Sequence, residues 1–374
     1  MYPLALFAIF LAVLALIWLS RGGNKAPSKG LTPPTRKKAK KIASLPPFVQ
    51  ANKLYYQQLL LKRKELPRYC LASSAIKTTR NLNETQKEFL YQELKKVPLP
   101  SGAAMRLSEM LRDPFVDSKE VAALASSDPV VSARLLAVVN SAYFRPASGK
   151  KVNSIHRAIL LLGFNQVRNL LFQLVLEHAV NRYSPLSKEE IRKIWLHSAA
   201  VSVAAGELAK RQEEHPGLVL TAGLMHDIGK FFLPFFKLED EGSFLAHEME
   251  EDTPPLLREE NQTGFNHALI GGVLCYVWRL PKEIMQAVSY HHFGHFDRLK
   301  NLSLRMRRVI TTVAVADYIC HLLRYADEDP YLYEIPKEAL AECGFPDQVE
   351  FLITPELEKE IEKMVALLKE YSFQ

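Results

Sequence analysis

The sequence has few cysteines, and no two of them lie close together. Its 374 residues include four, which form no CxxC or CxC pair: Cys70, Cys275, Cys320 and Cys343. A zinc-finger or disulfide framework needs closer or better patterned spacing, so the sequence gives no support for either. Free thiols in a reducing compartment are the simplest interpretation.

The chain also lacks a general excess of basic residues, although its formal net charge is +7. Eight of the 48 Lys and Arg residues lie between Met1 and Lys41, a segment without Asp or Glu. The rest of the chain therefore carries 40 basic and 41 acidic residues. Because this remainder is almost neutral, the charge gives no support for nucleic-acid binding, and we expect no nucleic-acid partner.

An uncharged run of apolar and aromatic residues, Tyr2 to Leu19, precedes all eight basic residues of this segment. As a helix it would be roughly 27 Å long, at the short end of what a bilayer requires. No Lys or Arg precedes the run and no small-x-small site follows it, which argues against a cleaved signal peptide. Because the basic residues follow the run, the positive-inside rule predicts a single-pass membrane anchor with the C-terminal domain in the cytoplasm.

Residue composition and the positions of turn and helix-boundary residues divide the chain into six segments. The anchor at 1–20 is followed at 21–46 by a segment rich in Gly, Pro and Lys, which predicts a basic disordered linker. Beyond it, most segments have helical spacing and no alternating strand pattern persists, so the sequence predicts an all-α body. In chain order we assign a helical connector, the two halves of one domain and a helical tail: 47–94, 95–185, 186–325 and 326–374.

Local signals place several helix boundaries. Ser154 is a predicted N-cap of a short apolar helix that Gly163 ends. Ser187 and Glu190 have the spacing of a capping box, which starts a long helix running to about Arg211.

The segments after this helix have less regular helix-boundary signals. The next helix is expected over 218–230, and an acidic, irregular stretch over 239–262. Helices then resume, and the tail is expected to add surface helices without special chemistry.

The segment 224–230, Leu-Met-His-Asp-Ile-Gly-Lys, places His226 beside Asp227 in apolar surroundings. Burying an imidazole and a carboxylate together is costly unless something pairs with them, and a divalent metal ion does this well. Other His and Asp residues lie on neighbouring predicted helices, as ligands from facing helices of a bundle would: His197, His267, His291, His292 and Asp317. The series predicts one or two divalent ions, and this donor set suits Mn, Fe or Zn better than Ca.

Asp227 and Lys230 are the predicted catalytic residues. The Asp227 oxygens could reach one ion or bridge two, and Lys230, one turn after His226 on the same helix face, could contact a phosphate oxygen. Structural alternatives remain open: His197 as a buried core histidine, His291 and His292 as part of an exposed loop, and Lys230 as an ordinary helix-terminal residue. The remaining histidines, including His321, are interpreted as structural.

Two stretches of this sequence resemble the HDOD family, a branch of the HD-domain phosphohydrolase superfamily. The first runs from Ser126-Ser127-Asp128-Pro129 to Leu162-Gly163, and the second runs from His197 through the His226-Asp227 motif to Asp317. The resemblance covers about residues 95–325 and implies a small helical subdomain packed on an HD-type helix bundle. It also implies bacterial signalling, which would make the predicted membrane the inner (cytoplasmic) membrane.

The chain departs from its relatives in an informative way. Many HDOD domains have lost metal ligands and act as output or scaffold modules, whereas every matching position here is His or Asp. The sequence lacks the Gly-Tyr-Pro motif of the related HD-GYP phosphodiesterases of cyclic di-GMP, and Lys193 stands where some members carry an extra ligand Glu.

Two functions of different class follow from this pattern. The first is a membrane-tethered signalling module with a divalent-metal site that binds a protein partner or a nucleotide. The alternative is an active metal-dependent phosphohydrolase or phosphodiesterase acting on a phosphoester or nucleotide.

Overall fold

The structure is a computed structural model of the chain, in which Pro47–Gln374 forms one compact unit. The predicted anchor, Tyr2 to Leu19, and the predicted linker at 21–46 lie outside the described residues. The structure describes residues 49, 52–71, 76–97, 110, 116–140, 151–212, 216–236, 253–292, 299–325 and 330–371.

Helices dominate the fold, as the sequence predicted, with 72% helix and 2% strand among the described residues. In chain order the α-helices are α1 (Lys53–Glu65), α2 (Glu84–Lys95), α3 (Ser118–Ser126), α4 (Pro129–Val139), α5 (Ile155–Tyr183), α6 (Lys188–Lys210), α7 (Pro216–Met225), α8 (Pro255–Thr263), α9 (His267–Val277), α10 (Lys282–Tyr290), α11 (Leu304–Leu322), α12 (Lys337–Glu342) and α13 (Pro355–Tyr371). The part of the chain that the structure describes also contains three short 3-10 helices: Ile228–Phe231, Leu233–Phe236 and Val349–Leu352.

A small parallel sheet is the feature that the prediction of an all-α body missed. Strand β1 (Arg68–Tyr69) pairs with β2 (Leu332–Tyr333), so that Arg68 lies opposite Leu332 and Tyr69 opposite Tyr333. Strands of two residues are too short to show the alternation by which a strand is recognised. The pairing joins the predicted connector to the predicted tail.

The predicted helix boundaries around α5 and α6 are confirmed. Ser154 caps α5 by accepting a hydrogen bond from the Arg157 amide, and Gly163 interrupts that helix with a φ of +76°. Both halves of the Ser187 and Glu190 capping box are formed at the start of α6. A positive φ is readily adopted only by glycine, which explains why the chain turns at this residue.

Two predictions of local structure were wrong. The helix expected over 218–230 ends at Met225, and the chain continues as 3-10 helices, so His226 and Asp227 lie in a turn. Part of the stretch predicted as irregular forms α8, which starts with a proline at its first position. Proline is well suited to the first turn of a helix, because its missing N–H would have no partner there.

The main hydrophobic core surrounds α6. Fourteen of the 23 residues of this helix are buried, and it packs against α7, α11 and α13. A smaller core joins α3, α4 and α5 through residues such as Val121, Leu135 and Ile159. The long central helix therefore anchors the elements that carry the His and Asp residues.

Segments at both ends of the compact unit pack onto this core. The Tyr56 hydroxyl of α1 donates to the carbonyl of Ile353 at 2.9 Å, and the Trp278 indole donates to the carbonyl of Val97 at 2.9 Å. In the tail, α13 buries Leu357, Ile361, Val365 and Leu368 in the main core. The expectation that the tail helices lie only on the surface was therefore wrong for α13.

One stretch among the described residues, Gly217–Phe236, is long and apolar enough to cross a membrane. A bent pair, Ser118–Ser126 with Val131–Val139, would be a second candidate if it were one span. The core helix of a soluble protein passes the same test, and 67% of the apolar window of Gly217–Phe236 is buried inside the fold. This stretch also contains the His-Asp pair, which fits a place in the protein core.

Candidate metal centre

All seven predicted metal ligands lie together in the interior, and each is at most 5% exposed. They come from α6, the turn after α7, the start of α9, the end of α10 and the middle of α11: His197, His226, Asp227, His267, His291, His292 and Asp317. Residues far apart in the sequence thus converge on one buried cluster. The exposed-loop alternative for His291 and His292 does not hold.

Asp227 stands at the middle of the cluster, with its two oxygens facing different imidazoles. Its Oδ2 lies 3.5 Å from Nε2 of His197 and 3.3 Å from Nε2 of His226. Its Oδ1 lies 3.1 Å from Nε2 of His267 and 3.8 Å from Nε2 of His291. One carboxylate therefore connects two groups of nitrogen donors.

The two groups are compact enough to surround one ion each. The ligand atoms of His197, His226 and Asp227 lie within 4.8 Å of one another, as do those of Asp227, His267, His291 and His292. Asp317 borders the first group, since its Oδ1 is 3.0 Å from Nε2 of His197 and 3.6 Å from Nε2 of His226.

Backbone carbonyls orient two of the imidazoles. Nδ1 of His226 lies 2.7 Å from the carbonyl oxygen of Gly223, and Nδ1 of His291 lies 2.7 Å from that of Val288. A carbonyl only accepts hydrogen bonds, so we infer that Nδ1 carries the proton in both rings. In the neutral ring Nε2 then presents its lone pair to the cluster, which is the arrangement that a metal-binding histidine needs.

Several polar atoms in the cluster lack a normal hydrogen-bond partner. A bound metal ion would provide that partner, so the residues fit such an ion. Nε2 of His267 lies only 2.9 Å from Nε2 of His292, and the corresponding atoms of His197 and His226 are 3.2 Å apart. Two lone pairs this close repel unless a proton or a cation lies between them. Asp227 Oδ1, buried, has no hydrogen-bond partner within the described chain. The buried cluster could therefore hold a metal ion.

Charge in the cluster shifts the pKa values in the direction expected of a cation site. Burial opposes protonation of His226, but the carboxylates of Asp227 and Asp317 outweigh it and raise the pKa of His226 to about 10. Burial acts against ionisation of Asp227 too, yet the charges of His226, Lys230 and His267 hold the pKa of Asp227 well below its usual range. Burial, with His226 and His267 nearby, lowers the pKa of His291 to about 3.

Glu259 contacts the candidate centre through His267 and was missed by sequence reasoning. Nδ1 of His267 lies 2.7 Å from Glu259 Oε2, and the backbone amide of His267 donates to the same oxygen at 2.8 Å. Such a carboxylate fixes the ring orientation and strengthens the other nitrogen as a ligand. The residue falls in the stretch that was predicted to be irregular, so only recognition of α8 as a helix could have drawn attention to it.

Lys230 and the tail form the open side of the cluster. Nζ of Lys230 lies 2.8 Å from Asp227 Oδ2, so the lysine faces Asp227 from a 3-10 helix rather than sharing a helix face with His226. A cavity of about 190 Å³ opens here, lined by Ile194, His197, Asp227, Lys230, Pro255, Glu259 and Tyr331. The presence of Tyr331 shows that the tail contributes to this site, contrary to our expectation.

Substitution of Glu259 by Gln is expected to weaken metal binding by about 10–100-fold, because loss of the carboxylate charge makes His267 a poorer ligand. The side chain keeps its shape, so the fold should be unaffected. Titration of the metal-free protein with Zn²⁺ measures the change. Glu283→Gln, an exposed position in the first turn of α10, is the matched control and should bind like the wild type. Equal Zn²⁺ affinity of all three proteins would show that Glu259 does not support metal binding.

A helical domain that directs histidine and aspartate side chains to a buried cluster, next to an open cavity, has the features of the HD-type class. Residues 97–293, slightly more than half of the chain, match the HDOD domain. The chain therefore belongs to the HDOD family, which confirms the resemblance found in the sequence.

The three related proteins described next are each less than 25% identical to this chain. An uncharacterized protein of Treponema pallidum (strain Nichols) is 23% identical over 247 residues, which are 66% of this chain and 45% of that protein. The chain thus spans less than half the length of this curated relative.

Two solved structures share the fold. An HDOD domain protein with unknown function from Geobacter sulfurreducens is 24% identical and has a TM-score of 0.58, covering 78% of this chain and 100% of its own. A protein of Shewanella amazonensis SB2B, provisionally named a phosphohydrolase, is 21% identical with a TM-score of 0.54. The match covers 75% of this chain and 97% of that protein. At these identities the likeness concerns the fold alone.

Proposed function

We propose that this chain is a membrane-tethered regulatory protein of the HDOD type whose buried cluster binds two divalent metal ions. His197, His226, Asp227 and Asp317 would hold one ion, and Asp227 with His267, His291 and His292 would hold the other. The donor set of imidazoles and carboxylates suits Mn, Fe or Zn. Its regulatory ligand would be a protein partner or a nucleotide.

The arrangement of Asp227 is the observation that carries the proposal. Each of its oxygens faces a different set of imidazole Nε2 atoms, at 3.3 and 3.5 Å on one side and 3.1 and 3.8 Å on the other. A carboxylate that only stabilised a core histidine would need one such contact. The arrangement of Asp227 therefore supports a role as a ligand shared by two ions.

Metal analysis of the full chain tests this proposal. The protein would be purified without chelator and without metal-affinity resin, and its metal content measured by mass spectrometry. We expect about two ions of Mn, Fe or Zn per chain, and clearly fewer in a His226→Ala variant. A folded wild-type protein that neither retains nor takes up these metals would contradict the proposal.

Metal affinity should rise with pH, because His226 in the metal-free protein holds a proton that the ion must displace. Burial acts against this proton, but Asp227 and Asp317 raise the pKa of His226 to about 10, so the proton is bound at pH 7. His267, whose pKa is raised by Glu259 and Asp227 against the effect of burial, acts in the same direction. Each displaced proton changes the affinity about tenfold per pH unit.

Calorimetric titration with Zn²⁺ at pH 6, 7 and 8, in two buffers of different ionisation enthalpy, checks this expectation. At least one proton should be released for each chain that binds metal at pH 7. His291, with a pKa lowered to about 3, is already neutral and should release none. Metal binding without proton release, and with an affinity that does not change between pH 6 and 8, would be the contrary result.

Membrane attachment through Tyr2 to Leu19 is the second part of the proposal, supported by the uncharged run and the basic residues after it. The chain should remain in the membrane fraction after a carbonate wash, and added protease should digest it only from the cytoplasmic side. Release of the intact chain by carbonate would contradict an integral anchor and leave the metal proposal untouched.

Phosphoester hydrolysis is a second candidate function, favoured by the cavity of about 190 Å³ beside the cluster. Asp227 and Lys230 both line this cavity, and the Lys230 ammonium could bind a phosphate oxygen while Asp227 holds the ions. A bound pair of divalent ions would supply Lewis acidity toward such a group. The Shewanella amazonensis protein that is provisionally named a phosphohydrolase shares the fold of this chain.

An assay of the metal-loaded protein with p-nitrophenyl phosphate and bis-p-nitrophenyl phosphate separates the two candidates. If the centre is catalytic, Lys230→Met should lower the rate while the metal content stays at the wild-type level. If the wild type is no faster than an Asp227→Asn variant with either ester, the hydrolase candidate fails for these substrate types and the regulatory proposal is retained.

A further inference from the structure

His321 is a buried histidine beside the proposed metal ligands that the assignments above do not use. It lies on α11, one turn after Asp317, and is 2% exposed. Its ring is packed against Tyr331, with centroids 4.4 Å apart, and its centroid is 5.0 Å from that of His197. The spacing of four residues on one helix places His321 and Asp317 on the same face.

Neither ring nitrogen of His321 forms a hydrogen bond with any part of the chain that the structure describes. Nε2 comes within 3.3 Å of Asp317 Oδ1, without hydrogen-bond geometry. A fully buried imidazole without hydrogen bonds is costly, since transfer from water leaves both nitrogens unsatisfied. Apart from its contact with the Asp317 carboxylate, the ring makes none of the hydrogen bonds that a structural core histidine normally makes.

A small cavity adjoins this ring. Its volume is about 10 Å³, and its lining includes Asp317, His321, His291 and His292. That volume accommodates about one sphere of the size of a water molecule. His321 thus faces a space of atomic size that is bordered by donors of the metal-binding type.

The donor atoms of His197, Asp317 and His321 lie within 4.8 Å of one another. We infer that His321 is a direct ligand of a divalent metal ion that His197 and Asp317 also hold. This inference rests on the proposed metal binding and adds a ligand to it. A further imidazole favours the ions that prefer nitrogen donors, Zn and Fe, over Mn.

The alternative role for His321 is positioning: it could donate a hydrogen bond to Asp317 and keep that carboxylate in place. Two substitutions of similar length separate the roles. His321→Glu provides an anionic metal ligand but cannot donate to Asp317, and it would repel that carboxylate. His321→Gln can donate a hydrogen bond but is a weak metal ligand.

The experiment is a titration of the full metal-free chain and both variants with Co²⁺, in competition with a chelating dye. Direct ligation requires that His321→Gln binds Co²⁺ at least about 10-fold more weakly than the wild type, and that His321→Glu binds more tightly than His321→Gln. If His321 only positions Asp317, the order of the two variants is reversed. Equal binding by all three proteins would also overturn the inference. His156→Gln, which alters a histidine bonded to Ser118 on α3, is the control.

A second readout needs no variant to fold. In the Co²⁺-loaded wild type with ¹⁵N-labelled histidine, each metal-bound imidazole gives contact-shifted NMR signals, which a ring that only lies near the ion does not give. We expect six such rings: His197, His226, His267, His291, His292 and His321. Signals from five or fewer rings would overturn the inference while leaving metal binding intact. A wild type that takes up no Co²⁺ would instead contradict the proposed function itself.

Discussion

Asp227→Asn is expected to abolish retention of metal by the purified protein, with an affinity loss of about 100-fold or more. The amide keeps the shape of the side chain but removes the negative charge that faces imidazoles on both sides. The remaining donors of each proposed ion would then lack their shared ligand. Metal content by mass spectrometry and Zn²⁺ titration measure the loss, and any phosphoesterase activity should fall to background with it.

The control for this substitution is Asp117→Asn. Asp117 is an exposed N-cap that accepts from the Lys119 amide, and Asn caps a helix about as well as Asp. The control should therefore keep both its stability and its metal. An Asp227→Asn protein that folds and retains the wild-type amount of metal would show that Asp227 is not a shared ligand.

Gly229→Ala is expected to destabilise the fold by about 3 kcal/mol and to disturb the metal centre with it. A β-carbon at Gly229 would lie 2.0 Å from the carbonyl oxygen of His267 and 2.8 Å from the amide nitrogen of Gly271. Both obstacles are backbone atoms, so relief requires that the 3-10 helix Ile228–Phe231 move away from α9. That movement would separate Asp227 and Lys230 from His267.

Urea unfolding followed by circular dichroism, together with metal titration, measures both effects of Gly229→Ala. Gly272→Ala is the matched control on α9, because its added β-carbon would meet the Ser289 hydroxyl, at 2.0 Å, and that hydroxyl can rotate away. The control should lose clearly less stability. If the free energy of unfolding of Gly229→Ala lies within about 0.5 kcal/mol of the wild-type value, the close packing of the 3-10 helix against α9 is contradicted.

The clustering of the proposed ligand side chains could be predicted because three of them have a strong signal in their own short stretch of sequence. His226 and Asp227 are adjacent polar residues in an apolar segment, and Asp317 is a carboxylate in an apolar helix. Burial of such groups without a partner is costly, so their presence indicates a site wherever the helices meet. The capping box at Ser187 likewise fixed the start of α6, which carries His197.

Other features depend on contacts between distant segments, which no short stretch of sequence reveals. The pairing of β1 with β2 involves two residues on each side, too few for a pattern. Tyr331 reaches the cavity because β2 is held next to β1, and the tail alone gives no sign of this role. By contrast, the spacing of His321 four residues after Asp317, which places both on one helix face, can be read from the sequence alone.

The turn after Met225 shows a further limit of periodicity. Apolar residues continue past His226 at a spacing that fits a helix, yet the chain changes there to 3-10 geometry. Gly229 must pass against the backbone of α9, which is a tertiary requirement. The prediction of one continuous helix over 218–230 therefore failed where the chain forms the candidate metal centre.

The central claim is that the buried His and Asp cluster holds two ions on either side of Asp227. The most direct test is anomalous X-ray diffraction from crystals of the metal-loaded protein, with data collected above and below the absorption edge of the metal found by mass spectrometry. We expect two anomalous peaks: one among His197, His226 and Asp317, the other among His267, His291 and His292. The absence of anomalous density between these side chains, in a protein supplied with Mn, Fe and Zn, would contradict the account.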